Sequence, residues 1–66
     1  MDSEEIKQRL VEMHGTGGWA RLAVEAGLNY WTLQRIAAGK VKPHGRTLER
    51  LRAAFLLRDD RQREAA

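Results

Sequence analysis

Sixty-six residues leave room for one domain, and a chain this short buries only about 60% of the surface its unfolded form exposes. With no cysteine there is neither a disulfide framework nor a thiolate metal site, and no apolar run approaches the roughly 20 residues that a membrane span needs. The net charge of +3 and the sequence pI of about 10.0 favour an anionic partner over a cationic one.

The first helix is predicted at the N-terminus. Asp2, with Glu5 three residues on, forms a capping-box-like start, and Ile6, Leu10 and Met13 follow as an amphipathic stripe. Gly15 is expected to end this helix in a left-handed conformation. The acidic, then amphipathic start is no signal peptide, so a cytoplasmic location is expected. The second helix lies in GWARLAVEAG, with Leu22, Ala23 and Ala26 on one face, and stops at Gly27. Leu28 opens a tight connection, and Asn29 is an N-cap for a third helix running to about Ala38, where Gly39 stops it. KVKPHG reads as a loop, because Pro43 disfavours helix just before it. A fourth helix follows from about Gly45, with Leu48, Leu51 and Phe55 as its buried stripe and Leu56 and Leu57 beside it. Residues 58–66 carry no apolar period and are read as a frayed helical extension or a disordered tail. Nothing alternates with period two, so no strand is expected. The fold class is therefore all-α, a bundle of four to five short helices in a single domain spanning 1–66.

Charge is sorted along this chain. Between Ala26 and Leu48 there is no Asp or Glu, while Arg35, Lys40, Lys42 and Arg46 fall in that window with His44. With Leu33 and Ile36 turned inward, Trp31, Arg35 and Ala38 point most directly away, flanked by Tyr30 and Gln34. Arg pairs bidentately with guanine and Gln with adenine, an aromatic ring presses on a thymine methyl, and cations neutralise phosphates. The glycine-rich GTGG frees the first amides of helix two to face an anion.

Helices two and three, joined by Gly27-Leu28-Asn29, form a helix-turn-helix arrangement over about 18–38. Ala23 must be small where the third helix crosses, Gly27 must take the left-handed conformation, and Leu28, Leu33 and Ile36 must be apolar. The stretch LAVEAGLNYWTLQRIAAGKVKPHGRTLERLRAAF resembles the lambda-repressor-like (Cro/CI, XRE-type) helix-turn-helix family. The resemblance rests on Leu22-Ala23, Gly27-Leu28, Leu33 with Ile36, the loop Gly39-Lys40-Val41-Lys42-Pro43, and Thr47-Leu48, and it covers residues 18 to 56. It implies a small phage or bacterial transcriptional regulator, a repressor of Cro-like or anti-CRISPR-associated autorepressor type, that binds an inverted-repeat operator in double-stranded DNA as a homodimer. Helix three would lie in the major groove. Tyr30, Trp31, Gln34 and Arg35 fall at the base-contacting positions, and Gly18, Trp19, Asn29, Thr32, Lys40, Lys42, His44 and Arg46 at positions expected to meet the backbone. Trp19 replaces a common glutamine, so an indole N–H would donate there instead.

Each of these features has a plainer reading. Trp31 could anchor a protein partner, Trp19 could cover the core edge, and Tyr30 could lean on Gly27 or Ala37. Phe55, Leu56 and Leu57 are either a wide buried face or a self-complementary patch joining two chains. His14 and His44 are far apart, so no metal is expected, and neither is a cofactor or small-molecule ligand. HGTGG resembles an esterase oxyanion loop, yet the one serine, Ser3, lies in a capping position and GxSxG is missing, so no enzyme is expected. The alternative function is a protein-binding adaptor, an antitoxin or antirepressor, on the same fold.

Overall fold

The computed structural model describes residues 1–65, with side chains through Gln62. Its regular structure consists of α1 (Ser3–Glu12), α2 (Gly18–Ala26), α3 (Tyr30–Ala37) and α4 (Gly45–Ala65), with no strand among the described residues. The helix α1 packs on α3 and α4, and α2 packs on the same two.

Asp2 is extended, and its carboxylate accepts the Glu5 amide at 2.9 Å, which satisfies one of the donors that a helix start leaves open. Ile6 and Leu10 are fully buried, while Met13 is half-buried. The helix ends at Glu12, earlier than expected, with Met13 as its right-handed cap. A turn over 13–17 follows, and Thr16 braces it by donating to the Met13 carbonyl and accepting the Gly18 amide. Gly15 lies inside this turn and does not cap the helix.

One device ends both α2 and α3. At Gly27 (φ +68°) the Leu28 amide donates to the Ala23 carbonyl and the Gly27 amide to Val24. At Gly39 (φ +78°) the Lys40 amide donates to Arg35 and the Gly39 amide to Ile36. Both pairs of bonds form the Schellman arrangement, which needs a left-handed residue and so favours glycine. Arg50 adds a bond from its guanidinium to the Gly27 carbonyl at 2.8 Å, tying the connection to α4. Asn29 is extended and accepts the Trp31 amide at 2.8 Å, starting α3. The chain thus leaves α2 and enters α3 within three residues, and the buried faces of Leu22, Ala23 and Ala26 and of Leu33 and Ile36 meet in one core.

The core is completed from α4 by Leu51, Ala54 and Phe55, with Leu48 partly buried against it. The helix continues through Ala65, so 58–65 are helical and not a disordered tail, and Ala66 lies outside the described residues. Ion pairs hold the beginning of this extension. Arg9 makes a bidentate contact with Asp59 (3.0 and 3.0 Å) while lying over the Phe55 ring, and Glu25 takes Arg58 and Arg61 (2.8 and 3.2 Å).

The hydrogen bond from Arg58, helped by the charges of Arg58, Arg61 and Arg21, outweighs burial and holds the Glu25 carboxyl below its ordinary range. A carboxylate with a depressed pKa in the folded state stabilises at pH values above the unfolded pKa, and the effect is lost as pH falls through the folded value. Glu25→Gln should therefore lower the melting temperature at pH 7 by a few degrees and have no effect near pH 2, read by far-UV circular dichroism. A deficit of the same size at both pH values would assign the effect to packing and not to the charge.

Candidate nucleic-acid interface

Capping and burial fix how α3 presents its outer face. Leu33 and Ile36 are held inside, so Tyr30, Trp31, Gln34, Arg35 and Ala38 lie outside. Trp31 is 63% exposed and Tyr30 45%. No side chain among the described residues pairs with Gln34, Arg35, Lys40, Lys42 or Arg46. The three ion pairs instead consume Asp59 and Glu25 on Arg9, Arg58 and Arg61, away from this face. Because the Lys40 amide is bonded to the Arg35 carbonyl, the loop cations begin directly at the end of α3, next to Arg35. Lys40, Lys42, His44 and Arg46 are all exposed, and His44 Nδ1 lies 3.2 Å from the Lys42 carbonyl oxygen, which shapes the loop between them. The result is an edge rich in hydrogen-bond donors and bare of carboxylates, suited to an anionic surface that carries acceptors.

Two expected site residues, Trp19 and Phe55, are placed differently. Trp19 is only 8% exposed, and its indole N–H donates to the Leu10 carbonyl at 2.9 Å, so this side chain has no donor left for a phosphate. The physical reason lies in α1: Leu10 carries one of the orphan carbonyls of that helix end, and the indole satisfies it. Asn29 caps α3 as expected, through its side-chain oxygen, which leaves its side-chain amide nitrogen to donate outward. Phe55 is 2% exposed and belongs to the monomer core, so a patch between two chains would have to be made by Leu56 (52% exposed) and Leu57 (59%). Gly18 is half-buried, with its amide 3.3 Å from the Thr16 hydroxyl, and Thr32 is half-buried. Gly17, the residue before α2, provides no side-chain cap.

Two features were not anticipated. The rings of His14, Trp19, Tyr30 and Trp31 form an edge-to-face series with centroids 5.4, 6.0 and 6.2 Å apart. Tyr30 thus leans on Trp19, and an open groove of about 400 Å³ lies between the 13–17 turn and α3, walled by His14, Trp19, Tyr30 and Gln34. Lys7 is the second: its ammonium lies 3.4 Å from where a Cβ on Gly39 would stand, so α1 adds a cation at the end of α3. The pattern of α1 carries no signal for this, because only the packing of α1 on α3 creates the proximity. Val24 is 82% exposed on α2.

Among the described residues no cluster of three or more metal-ligating side chains occurs, and no helix is long and apolar enough to cross a membrane. In comparisons with known proteins, no family model, curated protein or solved structure matches this chain.

Proposed function

We propose that the chain is a sequence-specific regulator of transcription that binds duplex DNA through a helix-turn-helix made of α2 and α3, with α3 in the major groove. The observation that carries this reading is the outer face of α3, where Trp31, Gln34 and Arg35 have no carboxylate partner, continued by Lys40, Lys42 and Arg46. An unpaired guanidinium and amide on a short exposed helix have the donors that base edges require, and the loop cations have the charge that phosphates require. Two copies, joined through the exposed Leu56 and Leu57, would read an inverted repeat with half-sites about 34 Å apart. Such a dimer would repress by occupying a promoter.

Salt dependence tests the reading. Three loop cations per chain give six phosphate contacts per dimer, and a binder of that kind loses about 10³-fold in affinity between 50 and 200 mM salt. Lys42→Ala removes two of the six, so the slope of log K against log salt should flatten from about −5.4 to about −3.6, with all sequences weakened alike. Fluorescence anisotropy with labelled duplexes measures both. A protein partner held on Trp31 and Tyr30 would instead give affinity that barely responds to salt, and an unchanged slope in Lys42→Ala would remove that residue from the backbone contacts.

A further inference from the structure

Beside Arg35 the outer face of α3 is hollowed into an open groove of about 220 Å³, lined by Trp31, Gln34, Arg35, Ala38 and Lys40. Trp31 forms one wall. Its ring has a single ring contact, edge-on to Tyr30 at 85°, and its indole N–H has no partner among the described residues. Ala38, one turn beyond Arg35, contributes no side chain past Cβ, so nothing blocks the floor. No carboxylate lines the groove, and its charge comes from a guanidinium and an ammonium.

We infer that this groove reads two neighbouring base pairs together: the guanidinium of Arg35 takes a guanine edge while the indole of Trp31 covers the 5-methyl group of a pyrimidine on the adjacent pair. The inference rests on the DNA-binding reading above and adds to it the chemical identity of one step in the site. The geometry favours a coupled reading. Residues four apart on a helix rise about 6 Å, and stacked base pairs about 3.4 Å, so side chains from Trp31 and Arg35 that lean toward each other reach successive pairs. A guanine alone would use the fork of Arg35 and leave a 63% exposed indole in water. A pyrimidine methyl is the one apolar group that the major groove offers to such a surface. Thymine and 5-methylcytosine both carry it.

The test starts from the tightest duplex recovered by this chain from a randomised pool, in which the pyrimidine next to the guanine is then replaced. Uracil in place of thymine removes only the methyl group and should weaken binding roughly fourfold, the worth of one buried carbon. Cytosine in the same place should gain by a similar factor when methylated at C5 if the groove accepts either source, and thymine alone will show the effect if the exocyclic amine of cytosine is rejected. In Trp31→Ala, whose exposed side chain can be removed without touching the core, the methyl effect should vanish while the preference for guanine remains. Specific binding that ignores the methyl, a methyl effect that survives Trp31→Ala, or a selected site in which no guanine lies beside an A·T pair overturns the inference and leaves DNA binding standing. Failure to recover any duplex at 50 mM salt overturns both.

Discussion

Trp19→Ala should remove roughly a third or more of this chain's stability. Removing a buried Trp or Phe side chain costs about 3–5 kcal/mol, and stability of about 0.05–0.15 kcal/mol per residue gives a chain of this length only about 3–10 kcal/mol in all. Trp19 has more to lose than its volume, because it joins three elements. Its ring contacts His14 in the turn and Tyr30 at the start of α3, and its N–H closes the end of α1 at the Leu10 carbonyl. Trp19→Phe separates these roles. Phenylalanine retains much of the packing but orphans that carbonyl, for an expected loss of about 1–3 kcal/mol. Urea unfolding followed by far-UV circular dichroism gives both values, and a midpoint in Trp19→Ala equal to that of the parent would refute the anchoring role. Trp31→Ala is the control: with 63% of that residue in solvent, its midpoint should move little.

What the sequence reveals about this molecule is what local physics decides. Gly27 and Gly39 are readable because a helix that must stop needs a left-handed residue. Asn29 is readable because a short polar side chain before an apolar period caps a helix, and Leu22, Ala23, Leu33 and Ile36 because their spacing repeats at helical period. The outer face of α3 follows by subtraction. Placement that depends on distant partners was out of reach. Trp19 reads from the sequence either as a phosphate contact or as a cover for the core edge, and only the acceptor that α1 supplies nine residues back decides for the core. Phe55, by contrast, is readable as the buried member of Phe55, Leu56 and Leu57, because it continues the stripe of Leu48 and Leu51 at helical spacing. The extension of α4 lacks apolar period because ion pairs anchor it, with Arg58 and Arg61 reaching Glu25 across 33 and 36 residues of chain. Lys7 belongs to the same class, brought to Gly39 by helix packing alone.

These long-range links also bear on how rigidly α3 is held. The bond from Arg50 to the Gly27 carbonyl fixes the entry to α3 from the side of α4, and the Lys40 amide on the Arg35 carbonyl fixes its exit. A recognition surface needs its side chains supported by a backbone that does not move on binding. Here both ends of an eight-residue helix are tied, one by a side chain from another element and one by its own backbone.

Arg35→Ala should remove most of the preference for one DNA sequence over another without disturbing the fold. The side chain is exposed and has no partner among the described residues, alanine is the strongest helix former, and the backbone carbonyl that receives Lys40 is retained, so the unfolding midpoint should shift by less than about 0.5 kcal/mol. Specificity should respond strongly. A bidentate pair to guanine contributes about 1–3 kcal/mol of discrimination, which is roughly 5- to 150-fold for each half-site. Residual binding should persist at low salt, because Lys40, Lys42 and Arg46 are untouched. Arg35→Lys distinguishes a charge from a fork: it keeps the positive charge and therefore the salt slope, but it loses the planar pair of donors and should discriminate nearly as poorly as alanine. Competition between the selected duplex and random duplex, run with all three proteins, gives the answer. Undiminished discrimination in Arg35→Ala would mean that the bases are read by other side chains. Discrimination restored in full by lysine would mean that Arg35 acts as a point charge on a phosphate, since an ammonium can hold a phosphate but cannot reproduce the fork on a guanine edge.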